Sequence, residues 1–267
     1  MPIEVEGGPL RVFSQEEFQE LDYEVMGIVF DVHNEFGRLF DELLYKREIA
    51  ARCAARGIPT ERELCVRVSR GTFVKKYAID LVFSHGVIYE VKAVDRLAPA
   101  HEAQTLNYLF LTGTHHAKLV NLRPERVSWR FVSTQLSPEL RKQVTIDDRA
   151  WCDIDDRSRL LKHAMLDLLG DWGAFLECNL YRDALIHFLG GEEAGIHAVP
   201  IYSEDRVIGH QSLPLVTEGV TMAVTAVTGS AETMRSHLGR LLSHTRLRHL
   251  HWINLNHHRV EFVTLSK

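Results

Sequence analysis

Apolar residues between Gln15 and Ala55 recur every three or four positions, which is the period of an amphipathic helix. Gly37 interrupts the pattern, so this segment predicts two helices or one broken helix. Gly57, followed by Ile58 and Pro59, ends it.

The next segments change from a helical pattern to strands. Three stretches rich in Val, Ile, Tyr and Phe predict strands at 63–68, 73–83 and 87–94. Ser84-His85-Gly86 predicts a hairpin turn between the last two. Pro99 begins a predicted helix that ends at Gly113, and further strands are predicted at 117–121 and 127–132.

After a stretch without periodicity, the same order of elements returns. The predicted elements are a helix at 159–189 interrupted at Gly170 and Gly173, strands at 195–202, 206–216 and 220–227, a helix at 233–242, and strands at 250–255 and 260–265. We therefore predict an α/β protein made of two copies of one fold. Residues 1–134 form the first domain, 135–155 a linker and 156–267 the second domain.

Individual residues align between the two halves, although faintly. Gly37 through Tyr45 aligns with Gly173 through Tyr181, Leu81-Val82 with Leu215-Val216, Gly86-Val87 with Gly219-Val220, and Asn121 with Asn254. Two unrelated α/β domains would share some strand-like residues by chance, so the duplication depends mainly on the common order and spacing of elements.

Composition narrows the class of protein. The chain has 267 residues, of which 45% are hydrophobic and 25% charged, which is typical of a globular protein. A net charge of −5 excludes a simple cationic nucleic-acid coat protein but not a nuclease. No stretch approaches 18 apolar residues and no secretory signal is recognisable, so we expect no membrane association and a cytoplasmic protein. The four cysteines form no CxxC pair, which argues against a zinc ribbon or a compact iron–sulfur cluster.

Three charged residues on the predicted hairpin carry the candidate chemistry. Asp80 and Glu90 fall on its two strands, and Lys92 is two positions beyond Glu90 and so projects to the same face. Burying such charges among apolar strand residues is costly unless a ligand uses them. Asp80, Glu90 and the backbone carbonyl of Val91 could hold Mg²⁺ or Mn²⁺, while Lys92 could orient water or stabilise a scissile phosphate. The alternative is a surface hairpin with weak ion pairs.

Four pieces of sequence occur in an order that resembles the PD-(D/E)XK nuclease superfamily and, within it, the family named for its GxxExxY motif. They are Gly37 with Glu42-Leu-Leu-Tyr45, Ile79-Asp80, Glu90-Val-Lys92, and Gln104 with Tyr108, and the resemblance covers roughly residues 20–133. It implies a restriction-endonuclease-like fold, a mixed central sheet flanked by helices. It also implies that Glu42 joins the metal site through water, and that Gln104 and Tyr108, one helical turn apart, support the site. Leu39 replaces the second glycine usual before the helix glutamate.

The second copy lacks these residues. Pro214, Ala223 and Thr225 align with Asp80, Glu90 and Lys92, while His237 aligns with Gln104 and Cys178 with Glu42. We therefore expect a degenerate, catalytically inactive second domain. It would make the chain an intramolecular pseudo-dimer, and a homodimer is also open.

The leading interpretation is a Mg²⁺- or Mn²⁺-dependent nuclease that hydrolyses phosphodiester bonds of DNA in its N-terminal half. The alternatives are a catalytically silent nucleic-acid- or protein-binding module on a nuclease fold, and a regulator paired with another nuclease or helicase. The sequence leaves open DNA against RNA, single against double strands, and cutting from an end against internal cutting.

Overall fold

The computed structural model describes residues 2–191 and 195–267, and the chain divides into two units, Met1–Pro138 and Glu139–Lys267. In unit 1 the elements are β1 (Ile3–Val5), α1 (Gln15–Phe36), α2 (Glu42–Ala55), β2 (Thr60–Arg70), β3 (Phe73–Phe83), β4 (Val87–Lys92), α3 (Pro99–Thr112), β5 (His116–Asn121) and β6 (Ser128–Ser133). These bounds confirm the two helices, the hairpin and the later helix and strands that the sequence predicted.

The six strands of unit 1 form one mixed sheet in the order β1-β2-β3-β4-β5-β6. Neighbouring strands are antiparallel except β4 and β5, which run parallel and are connected through α3. Parallel strands cannot be joined by a tight turn and need a long crossover connection, which is usually a helix. The predicted mixed sheet flanked by helices is therefore present.

Helices α1 and α2 cover one face of this sheet. Their apolar residues, among them Val25, Ile28 and Ile49, share a buried cluster with Leu81 and Tyr89 of the hairpin. Ser14 and Glu17 form a capping box that starts α1. Gly37 ends it with a φ of +70°, a conformation that residues with a side chain rarely adopt.

A tight turn and the N-terminal arm fix the end of the hairpin. The hairpin turn predicted at Ser84-His85-Gly86 is present between the paired residues Phe83 and Val87, and Ser84 and His85 both have positive φ, as tight hairpin turns often require. The arm crosses the turn, and the amide of Arg11 donates to the carbonyl of His85 at 2.7 Å. A Cβ on Gly86 would lie 2.2 Å from the Arg11 carbonyl oxygen and 2.8 Å from the Phe13 ring, so only glycine fits there.

Unit 2 contains α4 (Pro138–Arg141, which begins at the unit boundary), β7 (Thr145–Ala150), α5 (Asp156–Trp172), α6 (Cys178–Phe188), β8 (Ile196–Ser203), β9 (Arg206–Thr217), β10 (Val220–Thr225), α7 (Ala231–Ser243), β11 (His249–Asn256) and β12 (Arg259–Ser266). Its sheet has the order β7-β12-β11-β10-β9-β8, with β10 and β11 parallel. Strands β8 to β12 therefore repeat the order and directions of β2 to β6.

The strand pairing of the two sheets also corresponds residue by residue. Adding 133 to the residue numbers converts the pair Lys92–Asn121 into Thr225–Asn254, and Asn121–Ser128 into Asn254–Glu261. Both asparagines bond the backbone in the same way: the side chain of Asn121 exchanges two hydrogen bonds with Val94, and that of Asn254 with Val227. The register thus agrees with the alignment of the two asparagines.

The segment that we expected to be a linker, 135–155, contains structure. Helix α4 lies within it, and β7 is an edge strand of the sheet that pairs in parallel with β12. The acidic residues of this segment resemble those of a solvated linker in the sequence. In the structure, Asp147 lies on β7 and forms ion pairs with Arg149 and Arg259, which allows an acidic residue within a strand. The sixth strand of each sheet is consequently added at opposite edges, beside β2 in unit 1 and beside β12 in unit 2.

In the described part of the chain, no helix has the length and apolar character needed to span a bilayer.

Candidate active site

The candidate site lies where β3 and β4 diverge. Their paired residues end at Leu81 and Tyr89. Beyond that point the carboxylate of Asp80 enters the gap, and its Oδ2 accepts a hydrogen bond of 2.9 Å from the backbone amide of Val91. Because the side chain of Asp80 takes the place of a strand partner, it is held in a fixed position although it is buried.

Glu90 is the most buried acidic residue of the site, with 1% of its surface exposed. Its Oε1 accepts a hydrogen bond from the ammonium group of Lys92, two positions along β4. Its Oε2 is buried and has no hydrogen-bond partner. Burial, together with the nearby charge of Asp80, raises the pKa of Glu90 to about 8 despite the opposing effect of Lys92.

The structure adds Lys46, on α2, to these residues. Its buried ammonium group lies 2.8 Å from Oδ1 of Asp80, 2.7 Å from Oε1 of Glu63 and 3.7 Å from Oε1 of Glu42. Burial alone would lower the pKa of Lys46, but the hydrogen bonds to Asp80 and Glu63 outweigh it and raise that pKa well above its ordinary value. Lys46 is therefore a permanently charged partner of Asp80.

Glu63 reaches Lys46 from β2. The pairs on either side, Arg62 with Leu81 and Leu64 with Ile79, place Glu63 opposite Asp80. Its φ is +51°, an unusual backbone conformation for a residue with a side chain. Neither Lys46 nor Glu63 follows from the sequence pattern. The one available signal was the spacing of four between Glu42 and Lys46, which places them on the same helix face.

Glu42 begins α2 and is positioned by Tyr45. The Tyr45 hydroxyl donates to the carbonyl of Gly37 at 2.7 Å and accepts from the amide of Phe40 at 3.2 Å, so it fixes the loop that leads to Glu42. Tyr181 bonds Gly173 of unit 2 in the same manner, at 2.5 Å. The glycine and tyrosine of the motif thus hold a loop, and the charge of Glu42 is close enough to act on Glu90 and Lys92.

Gln104 and Tyr108 lie one turn apart on α3. The side-chain amide of Gln104 donates to the Tyr108 hydroxyl at 2.9 Å, and that hydroxyl donates to the carbonyl of Ala78 at 3.1 Å. Ala78 is two positions before Asp80 on β3. Tyr108 therefore links α3 to the strand that carries Asp80. The hydrogen bonds named here join Gln104 to Tyr108 and Tyr108 to Ala78, and neither involves Asp80 or Glu90.

The carboxylates of the site are near one another but paired with lysines. Within residues 2–191 and 195–267, no group of three or more His, Cys, Asp or Glu side chains is arranged to hold a metal ion. Lys46 engages Asp80, and Lys92 engages one oxygen of Glu90. The buried, unpartnered Oε2 of Glu90 nevertheless fits a hard divalent cation, which prefers carboxylate oxygens and would supply the missing partner.

The corresponding positions of unit 2 carry other residues. Thr225 corresponds to Lys92, and its hydroxyl donates to Asn254 at 2.8 Å and accepts from the Trp252 indole at 2.8 Å. Ala223 corresponds to Glu90. A register shift in the β9–β10 pairing makes Leu213, rather than the aligned Pro214, the counterpart of Asp80 by strand pairing, because Leu215 pairs with Thr221 as Val82 pairs with Ile88. A carboxylate is absent in either case.

Strand β11 and the turn after it contain four histidines, His249, His251, His257 and His258, of which His251 is buried inside unit 2. Its Nε2 lies 2.8 Å from the Ser158 hydroxyl and its Nδ1 3.1 Å from that of Thr264, while Trp151 stacks on its ring. Burial lowers the pKa of His251 to about 4, so the ring is neutral near pH 7. This environment is that of a packed core histidine.

Comparison with known proteins agrees with the geometry of unit 1. Residues 19–131 match the family model of the PD-(D/E)XK nuclease superfamily, and this part of the chain thus carries a nuclease-type fold. The solved structure of SSO0001 aligns with 46% of this chain and 76% of its own chain, at 17% identity and a TM-score of 0.25. No curated protein matches the chain significantly.

Proposed function

We propose that this protein is a Mg²⁺- or Mn²⁺-dependent nuclease that hydrolyses phosphodiester bonds of DNA, with its active site in unit 1. The observation that carries the proposal is the buried Oε2 of Glu90, which has no partner and lies beside Asp80 and Lys92. A buried carboxylate oxygen without a partner is costly in a purely structural site, whereas a cation-binding site needs one.

In this proposal Asp80, Glu90 and the carbonyl of Val91 hold the metal directly, and Glu42 holds it through water. A bound divalent metal would activate a water molecule and neutralise charge on the phosphate. The backbone amide of Val91 donates to Oδ2 of Asp80 and holds the carboxylate in place, so Asp80 needs little reorganisation when a metal binds. Tyr45 fixes the loop that presents Glu42.

Lys92 is the proposed catalytic lysine. It is largely buried, and its ammonium group is aligned by Glu90 on the same strand. Burial lowers the pKa of Lys92, but the charge and hydrogen bond of Glu90 together outweigh it and raise that pKa above its ordinary value. The side chain of Lys92 is therefore positively charged near pH 7. A fixed positive charge at this point can orient the attacking water and stabilise the developing charge on the scissile phosphate. Gln104 is a positioning residue in this scheme, held by Tyr108.

We further propose that unit 1 belongs to the GxxExxY family and that unit 2 is a catalytically inactive copy of the same fold. The residues at the equivalent positions of unit 2 support its inactivity. Thr225 and Ala223 offer neither a metal ligand nor a cation where unit 1 has Lys92 and Glu90. Unit 2 would then have a role other than catalysis, such as binding nucleic acid.

A second candidate function is a catalytically silent nucleic-acid-binding module. It is favoured by one observation, the ion pair that already engages Asp80 with Lys46. Such a module would bind nucleic acid without needing a divalent metal at Asp80 and Glu90.

Cleavage assays separate the two candidates. The full chain is incubated with labelled single-stranded DNA, duplex DNA and RNA in Mg²⁺, Mn²⁺ or EDTA, beside the variant Asp80→Asn. We expect cutting of DNA that requires metal and is lost in Asp80→Asn. Absence of cutting on all three substrates, with binding that EDTA leaves unchanged, would contradict the nuclease and favour the silent module.

A further inference from the structure

The ammonium group of Lys46 is surrounded like a bound cation. Oxygens of Asp80 and Glu63 lie within hydrogen-bond distance of it, at 2.8 and 2.7 Å, and Glu42 approaches to 3.7 Å. Two of these three carboxylates, Asp80 and Glu42, belong to the proposed metal-binding set. The ammonium group of Lys46 thus neutralises part of the negative charge that would attract a divalent metal to these carboxylates.

The two main carboxylates of the site differ in what is open to a metal. Both oxygens of Asp80 are engaged, one by Lys46 and the other by the amide of Val91. Glu90 has one oxygen engaged by Lys92, and its Oε2 has no partner. One half of the site is therefore open and the other half is masked by Lys46.

Simultaneous binding of Lys46 and a divalent metal to the same carboxylate oxygen is electrostatically unfavourable. A metal at its usual distance from Oδ1 of Asp80 would lie within a few ångströms of the ammonium group, and in a buried site the two positive charges would repel each other strongly. The ammonium has another partner, because Glu63 binds it independently and half of the Glu63 side chain is exposed. Lys46 can thus leave Asp80 without losing all of its countercharge.

We propose that Lys46 is a tethered cation that masks Asp80 in the metal-free protein, and that divalent metal binds by displacing its ammonium group from Asp80 toward Glu63. This inference rests on the proposed function, since it assumes that the metal site is the one formed by Asp80 and Glu90. Lys46 is a positioning residue and does not touch the substrate. Its presence lowers metal affinity and lets the site remain folded and charge-balanced without metal.

Titration with Mn²⁺ alone tests the proposal. Calorimetry on the full chain, without nucleic acid, compares wild type with Lys46→Gln, Lys46→Arg and the control Lys118→Gln. Glutamine can still donate a hydrogen bond to Asp80 but carries no charge. Lys118 is a matched control, because it is also a buried lysine and pairs with Asp22 at 2.7 Å, and its place in the register puts it on the opposite face of the sheet from Glu90.

We expect Lys46→Gln to bind Mn²⁺ about tenfold or more tightly than wild type, and Lys118→Gln to match wild type. Lys46→Arg should bind Mn²⁺ more weakly, since a guanidinium forms a firmer contact with the carboxylate. Circular dichroism establishes that each variant is folded, and if Lys46→Gln is not, the arginine variant carries the test. Unchanged or weaker binding in Lys46→Gln, or wild-type affinity in Lys46→Arg, would overturn the proposal.

The outcomes also separate this inference from the proposed function. Tight Mn²⁺ binding by Lys46→Gln without cleavage of any nucleic acid would support the masking role and contradict the nuclease. Metal-dependent cleavage by wild type, with equal Mn²⁺ affinity in wild type and Lys46→Gln, would support the nuclease and overturn the masking role.

Discussion

The substitution Glu90→Gln tests the burial of charge at the candidate site. In the metal-free protein, the folded state raises the pKa of Glu90 from its ordinary value near 4.5 to about 8, mainly through burial. The folded protein therefore binds this proton more tightly than the unfolded chain does. The stability that the protonated carboxyl contributes is present below pH 4.5 and is lost as the pH rises through about 8.

A pKa difference of this size corresponds to about 5 kcal/mol between the two protonation states, at about 1.4 kcal/mol per pH unit. Glutamine keeps the shape of the side chain but cannot ionise. We therefore expect the free energy of unfolding of wild type, relative to Glu90→Gln, to fall by about 3–5 kcal/mol between pH 5 and pH 9.

Urea unfolding in EDTA, followed by circular dichroism at several pH values, measures this difference. Added Mn²⁺ should reverse the loss in wild type at pH 8 and have a much smaller effect on Glu90→Gln, because that variant lacks one of the two carboxylates that are proposed to hold the metal directly. A difference that stays constant from pH 5 to 9, or that grows in favour of wild type, would refute the argument that Glu90 is a buried carboxylate awaiting a cation.

Three further predictions concern the fold that supports the site. Gly86→Ala should destabilise the protein by about 1–3 kcal/mol in thermal or urea unfolding, because the added Cβ would collide with the N-terminal arm. The control Gly27→Ala, where a Cβ on α1 would meet no atom within 4 Å, should be neutral or stabilising. Equal effects of the two variants would contradict the close contact between Gly86 and the arm. Tyr45→Phe should lose about 1–2 kcal/mol of stability and slow cleavage, since its hydroxyl bonds two backbone groups of the loop before Glu42; unchanged cleavage would show that this loop does not matter. His251 is held neutral with a pKa of about 4 against an ordinary 6.5, so the stability it contributes is present above pH 6.5 and is lost as the pH falls through 4, by about 3 kcal/mol; a His251→Gln variant with the same acid dependence in urea unfolding would contradict this.

Local patterns in the sequence were sufficient to predict most elements of both units. Strand β3 was predicted with its observed bounds, and Gly37 was correctly placed at the break between α1 and α2. The two missed strands are β1, only three residues long, and β7, whose acidic residues look like a linker. Both are edge strands, and their pairing depends on distant partners that a local pattern does not contain.

The candidate site was only partly accessible to sequence reasoning. The spacing of Glu90 and Lys92 on one strand predicted that they share a face, since alternate strand residues point the same way, and the structure joins them in an ion pair. The contacts of Lys46 with Glu63 and Asp80 span 17 and 34 residues and join a helix to two strands, so they follow from the fold rather than from spacing. The amide of Val91 was likewise unforeseen as the partner of Asp80, because it is freed by the divergence of β3 from β4.

The most direct test of the central claim compares Lys92→Met with Lys118→Met in the cleavage of labelled duplex and single-stranded DNA by the full chain in Mn²⁺. Each variant removes one paired and largely buried lysine of unit 1, but only Lys92 belongs to the proposed site. We predict metal-dependent cleavage by wild type and Lys118→Met, and a loss of cleavage of at least about a hundredfold in Lys92→Met. Cleavage by Lys92→Met at the wild-type rate would contradict it.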